Sequence, residues 1–257
     1  MRLKHKTALI TGGSSGIGGA IAAAFAKEGA SVMVAARTEE ALRKKAQELT
    51  KWNGSINYIA GDVSNERDVK HIVQTTKKLF GSIDILVNAA GITMVSPSEE
   101  LHINEWNKCM DINATGTFLM SQETGRQMIE QHTGGKIINI TSIAAHAGIP
   151  QRAAYAASKG AVRQLTETLA LEWGKYNIQV NAISPGYVQT PLFNELAEKG
   201  EHNVTQLENR IPLGRLAYPE DIAGPATFLA SSESDYVTGV ILKTDGGWLV
   251  NGHLSAH

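Results

Sequence analysis

The sequence predicts an α/β fold, a single doubly wound parallel sheet of seven strands with helices on both faces. Three observations carry that prediction. Short apolar runs of strand length alternate with longer segments of helical period along the whole chain. Those runs are nearly continuous in apolar residues, as strands covered on both faces are. A glycine-rich turn, from Thr11 to Gly18, leads from the first run straight into the first helical segment, as parallel strand–helix units require.

The elements follow in order. Residues 7–11 form the first strand, and the turn feeds a helix over 16–28. A second strand at 31–35 precedes a helix over 39–51, with Thr38 as its N-cap and Glu39 and Glu40 in its first turn. The alternation continues with strand 55–59 and helix 66–80, strand 83–87 and helix 103–130, strand 136–141 and helix 153–173. Strand 179–183, helix 220–230 and strand 240–243 complete the set. The stretch 187–216 breaks the rhythm. There Pro185, Pro191, Pro212 and Gly214 bracket a polar helical piece over 193–209, which reads as a mobile substrate lid.

With 257 residues, 42% hydrophobic and 19% charged, the chain supports one large core, and residues 1–257 are expected to form a single domain. Its net charge of -1 comes with no basic block to neutralise a phosphate backbone, so nucleic acid is not an expected partner. No apolar run approaches the roughly 18 residues of a membrane span and no leader pattern opens the chain, so a cytoplasmic location and no membrane partner are expected. The lone cysteine, Cys109, reads as a small buried residue, and no Cys/His cluster suggests a metal.

Chemistry enters at the glycine turn, where Gly12, Ser14, Ser15, Gly16, Ile17 and Gly18 precede and open a helix. Backbone N–H groups there can approach a pyrophosphate closely, and the helix N-terminus adds partial positive charge. No Gly-Lys-Ser/Thr follows, which excludes a nucleotide-hydrolysing loop. About 20 residues further on, an acid usually meets a ribose hydroxyl in NAD-binding folds. Arg37 stands there instead, and its forked cation suits a 2′-phosphate, favouring NADP(H), with NAD(H) not excluded.

Tyr155 and Lys159 lie four apart on a predicted helix and so share one face. A lysine about 4 Å from the phenol would contribute roughly 4 kcal/mol towards the phenolate at an effective dielectric near 20, enough to bring the tyrosine near neutral pH. Ser142 follows strand 136–141 at its carboxyl end, where open parallel sheets bind ligands.

Together these residues resemble the short-chain dehydrogenases/reductases, over essentially the whole chain. The matching elements are the turn from Thr11 to Gly18, Asp62 with Val63, Asn88-Ala89-Ala90-Gly91, Asn113, Ser142, Tyr155 with Lys159, and Pro185-Gly186 leading to Thr190. The resemblance implies a Rossmann-type fold and a catalytic set of Asn113, Ser142, Tyr155 and Lys159. It implies that Asp62 and Val63 hold the adenine, that Asn88 supports the central strand, that the Ala90-Gly91 backbone lies along the cofactor ribose, and that Ala89 belongs to the cofactor-binding set. It further implies that Lys159 binds the nicotinamide ribose and that Asn113 holds a water connecting Lys159 to solvent. Pro185, Gly186, Val188 and Thr190 are implied to face the nicotinamide half. Two residues depart from the family pattern: Ala89 stands where many members have a second asparagine, and Ser15 where NADPH-preferring members often have a basic residue.

The resemblance implies an NAD(P)-dependent oxidoreductase moving a hydride between NADP(H) and a carbonyl or secondary alcohol: a small ketone, a sugar or sugar acid, or a 3-oxoacyl group. A non-enzymatic NADP(H)-binding or redox-sensing protein of the same fold is the alternative. Arg152, His146, Gln151 and Asn194 could hydrogen-bond a polyol or sugar acid, but each reads first as a solvated loop residue. The family commonly packs its last strand between subunits, which implies a homotetramer.

Overall fold

The computed structural model describes residues 1–52 and 54–252, so His253 and His257, to which the sequence assigns no role, lie outside the described residues. Strands and helices alternate in the expected order. The first half comprises β1 (Thr7–Thr11), α1 (Gly16–Lys27), β2 (Ser31–Ala36), α2 (Glu39–Leu49), β3 (Ile56–Ala60), α3 (Glu66–Phe80) and β4 (Ile85–Asn88). The second half comprises α4 (Ile103–Met110), α5 (Gly116–Gln131), β5 (Gly135–Ile140), α6 (Ala153–Trp173), β6 (Ile178–Pro185), α7 (Pro191–Glu198), α8 (Val204–Arg210), α9 (Pro219–Ala230) and β7 (Ile241–Thr244).

All seven strands pair in parallel, in the order β3-β2-β1-β4-β5-β6-β7. Connections run outward in one direction from β1 and in the other from β4, so the chain reverses between these two neighbours. The crevice beyond their carboxyl ends is where an open parallel sheet binds ligands. Thr11 and Asn88, aligned partners across that pair, mark its edge.

Both sheet faces are buried, as the continuous apolar runs require. One apolar cluster joins Ala8, Ile10, Val32 and Val34 to Ile21 and Phe25 of α1 and Ile222 and Leu229 of α9. The other joins Leu9, Met33 and Leu86 to Ile72 of α3, Met120 of α5 and Leu169 of α6. Alternate residues of one strand thus serve opposite faces, the period-two signature of a strand. No described helix is long and apolar enough to cross a membrane.

Three local expectations are corrected. The single helix over 103–130 is interrupted by a π-helical turn, Asp111–Thr115, and Thr117 Oγ1 caps the Asn113 carbonyl at 2.7 Å. Such bulges cluster at functional sites, and this one holds the fully buried Asn113. The polar piece over 193–209 is two helices, α7 and α8, parted near Gly200, whose φ of +79° closes the first helix. Periodicity runs across that break because Phe193 and Leu207 both serve a third apolar cluster, with Ile143, Ile211, Leu216 and Trp248. Thr38, finally, makes no side-chain capping bond to α2, so the acids of the first turn are left to satisfy that helix end.

Candidate active site

A groove of about 350 Å³ runs along the crevice between β1 and β4. Gly12, Ser14, Ser15, Gly16, Ile17 and Gly18 form its floor, Arg37, Asp62 and Val63 one end, and Ala89, Ala90, Gly91 and Thr190 its other wall. Glycine is required at position 12: its φ is +64°, and a Cβ there would sit 2.8 Å from the Ala89 backbone. Thr11 locks that close approach, its Oγ1 accepting from the N–H groups of Ala89 and Ala90 at 3.2 Å. Helix α1 starts at the groove with no acid in its first turn and no side-chain cap from Ser15. Its first N–H groups and its dipole therefore remain available to an anion.

Arg37 is exposed at the groove's end and makes no ion pair with any described carboxylate. Asp62 sits on the other side of that end. Burial raises the Asp62 carboxyl, but hydrogen bonds from the Ser64 hydroxyl (2.7 Å) and amide (2.9 Å), with Arg37 contributing, hold it below the usual carboxylate value. It is ionised and anchored. Val63 is buried against Gly116, where any side chain would collide with it.

Asn88 is buried and turned away from the groove. Its Nδ2 donates to Ser121 Oγ and to Asn139 Oδ1, both at 2.9 Å, and Asn139 Nδ2 donates to Thr166 Oγ1 at 2.9 Å. This polar ladder ties β4 to β5, α5 and α6 beneath the crevice and fixes the strand ends that carry the site. Buried amides tied in this way resist displacement because each lost partner leaves an unsatisfied group.

Beyond the groove a second pocket of about 190 Å³ shares Ile17, Ala89, Gly91 and Thr190 with it and reaches Ser142, Tyr155, Lys159, Pro185, Gly186, Val188 and Tyr187. Four elements deliver these groups: the end of β5, the first two turns of α6, the end of β6 and the start of α7. Thr190 caps α7, its Oγ1 accepting from Phe193 N at 3.2 Å ahead of Pro191, where the sequence alone suggests only a turn. Ser142 starts a short 3₁₀ turn, Ile143–Ala145, and accepts from Ala144 N at 3.1 Å. It also hydrogen-bonds the Tyr155 phenol. Lys159 is buried, donates from Nζ to Ile140 O at 2.8 Å, and lies 5.8 Å from the Tyr155 ring centroid.

Asn113 Oδ1 accepts from Ile92 N, and its Nδ2 donates to Ile92 O and Ser158 Oγ, all at 2.9 Å. The side chain thus clamps the segment after β4. A Cβ on Gly91 would stand 3.2 Å from Asn113 Oδ1 and 3.5 Å from Lys159 Nζ, so the two groups flank one glycine. Cys109 is buried beside them, its thiol pushed up by burial, in keeping with an inert small residue.

The electrostatic expectation for Tyr155 is corrected. Burial pushes the phenol above its ordinary value, against the hydrogen bond from Ser142 and the charge of Arg152. Burial likewise lowers Lys159, to about 8. The cost of removing both groups from water outweighs the attraction between them. In the protein by itself Tyr155 is protonated at neutral pH, as a proton donor to a carbonyl should be.

The sequence also misplaces Arg152. Rather than a solvated loop residue, it is 7% exposed, at the start of α6 and one turn before Tyr155. Tyr187, Phe193 and His202 also line the second pocket, outside any motif. Tyr187 packs edge-on against Phe193, His202 and Trp248 at 6.3, 5.6 and 4.9 Å between ring centroids. Their only signal was position in the irregular stretch after β6.

Comparison with known proteins extends this geometry. The family model described as enoyl-(acyl carrier protein) reductase matches residues 12–249. The chain is 40% identical over 249 residues to the D-threitol dehydrogenase of Mycolicibacterium smegmatis, covering 97% of this chain and 95% of that protein. It is 38% identical over 250 residues to the 3-oxoacyl-[acyl-carrier-protein] reductase of Thermotoga maritima, covering 97% and 100%. Among solved structures, a candidate NAD(P)-dependent gluconate 5-dehydrogenase from Beutenbergia cavernae, with NADP bound at low occupancy, superposes with a TM-score of 0.91. Its identity is 38%, and the match covers 96% of this chain and 98% of that one.

Proposed function

The chain belongs to the short-chain dehydrogenase/reductase family, and from that premise we propose that it moves a hydride between NADP(H) and a carbonyl/secondary-alcohol pair, with Tyr155 carrying the proton. That it is an NAD(P)-dependent oxidoreductase follows from its relatives, which are named for polyol, sugar-acid and 3-oxoacyl substrates. One observation carries the finer reading. Ser142, Tyr155 and Lys159 share the wall of a pocket that opens from a groove built for a dinucleotide, at the point where the sheet reverses.

The residues fit the cofactor. The bare N-terminus of α1 and the glycine floor suit its pyrophosphate, Asp62 and Val63 its adenine, and Ala90, Gly91 and Lys159 its inner ribose. Pro185, Gly186, Val188 and Thr190 line the nicotinamide half. The bound cofactor supplies or accepts the hydride. For reduction, Ser142 and Tyr155 hydrogen-bond the substrate oxygen, which fixes the carbonyl carbon towards the groove and polarises it. Tyr155 then releases its proton to that oxygen. Lys159, buried and tethered to Ile140 O, raises the acidity of the phenol when charged, and Asn113 keeps the Ile92 segment in place beside it. In oxidation Tyr155 takes the proton back. Helices α7 and α8, packed through Phe193 and Leu207 over Ile143 and Trp248, act as the lid that excludes water.

Arg37 favours NADP(H) because its exposed guanidinium forms no ion pair with any described carboxylate and stays available to a 2′-phosphate. Arg37→Asp is expected to cut kcat/KM for NADPH by about 100-fold, the scale of a charge-assisted bidentate contact, while changing NADH use far less. Equal losses with both cofactors would remove the phosphate contact. The exposed apolar side chains Ile103, Phe118 and Leu171 on α4, α5 and α6 support a homotetramer. Light scattering should return four times the chain mass, and a monomer mass would overturn that assignment.

The function is tested with a panel of ketones, ketoses, sugar acids and 3-oxoacyl esters, run in both directions with NADPH and with NADH. Cofactor-dependent turnover faster with NADPH is expected. Cofactor binding with no turnover anywhere in the panel would favour a binding-only protein.

A further inference from the structure

We propose that Arg152 is the receptor for a carboxylate on the substrate, so that this enzyme acts on hydroxylated acids in preference to neutral polyols or acyl thioesters. The inference rests on the redox reading above and narrows it.

Arg152 is 7% exposed, and a guanidinium stays charged at any physiological pH. A buried cation is expensive unless it is paired. Among the described residues no carboxylate lies within 4.0 Å of it, and its one hydrogen bond to the protein, from Nη1 to Gln151 O, is a long 3.4 Å. Burial accordingly depresses its affinity for the proton, with Glu201 opposing weakly from a distance. A five-donor fork is thus largely covered and faces the cavity, with almost nothing among the described residues to donate to.

Its position gives the donors a purpose. Arg152 is the residue before α6 and precedes Tyr155 by one helical turn, so its charge is felt at the Tyr155 and Tyr187 phenols. It lines a cavity of about 520 Å³ that shares Tyr187 and His202 with the catalytic pocket. A substrate whose oxygen meets Ser142 and Tyr155 can therefore extend past Tyr187 and His202 towards this cation. Around that route, Gln151, Asn203 and Gln206 can hydrogen-bond hydroxyl groups. Arg210, stacked 4.0 Å over the Trp248 ring, adds a second positive charge to the wall. Glu201 also lines the cavity, from an exposed position. A carboxylate matches the planar fork of Arg152 in a way that no neutral hydroxyl or thioester does.

A competing use of Arg152 is to latch Glu201 when the lid settles, and this differs in its consequences. A latch would serve every substrate equally, whereas a carboxylate receptor discriminates by charge. The test compares a series of aldonates of differing chain length, D-gluconate included, with their neutral primary amides as substrates for oxidation. Parent enzyme should prefer at least one acid over its amide by about 100-fold in kcat/KM. Arg152→Gln should erase most of that ratio, with the loss falling mainly on KM, and Arg152→Lys should restore part of it. Acid and amide used equally by the parent enzyme, or lowered equally in Arg152→Gln, would overturn the carboxylate subsite. If the variants fail to fold, a parent enzyme that uses acid and amide equally still overturns the proposal, and Arg210→Gln, which should keep most of the acid preference, separates the two cations. If ketones and polyols are turned over while no acid is favoured, the subsite falls and the redox reading stands. If nothing is turned over with either cofactor, the redox reading falls first.

Discussion

Replacing Tyr155 with Phe is expected to lower kcat for carbonyl reduction by about 10³-fold, within the range that positioned acid–base groups supply. The substitution removes one hydroxyl and keeps the ring that packs against Lys159 and lines the pocket, so the fold and the cofactor groove have no reason to change. Cofactor binding, read by quenching of nicotinamide fluorescence, should therefore persist. The loss should appear in kcat and kcat/KM together, because the missing interaction belongs to the transition state. Near-normal turnover in the variant would transfer the proton to another group, with the neighbouring Ser142 hydroxyl the first candidate.

Replacing Lys159 with Met carries a second large effect, and in two opposite directions. Activity should fall by a comparable factor, since the cation that favours the phenolate is gone. The cofactor-free protein should become more stable. Folding depresses this lysine from 10.5 to about 8 through burial, so the folded protein holds the proton less tightly than the unfolded chain does. That penalty, about 3 kcal/mol, is fully present below pH 8 and fades as pH rises towards 10.5. Losing the bond to Ile140 O returns about 1 kcal/mol. A net gain of about 2 kcal/mol, several degrees in Tm, is expected at neutral pH, shrinking as pH approaches 10.5. Thermal unfolding across that range checks it. A destabilised variant at every pH would mean that the ammonium is compensated within the folded chain. The trade of stability for activity is the usual mark of a site held in an unfavourable state for chemistry.

The fold was legible because its signals are redundant. Seven apolar runs, each covered on both faces, declare a parallel sheet whichever of them is misjudged, and the ends of the predicted strands shift by no more than two residues in most cases. The candidate site was legible because its members keep fixed local relations: a lysine four positions after Tyr155, a serine where a strand ends, glycines before a helix. What escaped was whatever depends on burial or on contacts between distant segments. Nothing in the sequence distinguishes a solvated arginine after Gln151 from a largely buried one, and the reading of Arg152 as a contact for an acid gained weight only when its surroundings were known. The acidity of Tyr155 was misjudged for the same reason, since desolvation cannot be read from spacing. The π-turn at Asp111–Thr115 was hidden because a single extra residue per turn barely disturbs an apolar pattern, yet it sets the position of Asn113.

Hydride transfer to a carbonyl carbon is the event that all these parts serve. The direct measurement uses NADPH carrying deuterium at the transferable position, with the carbonyl substrate that the parent enzyme reduces best, and mass spectrometry of the alcohol formed. One deuterium on the carbinol carbon, with product formation collapsing in Tyr155→Phe, is the predicted result. An unlabelled product formed at an undiminished rate would contradict it.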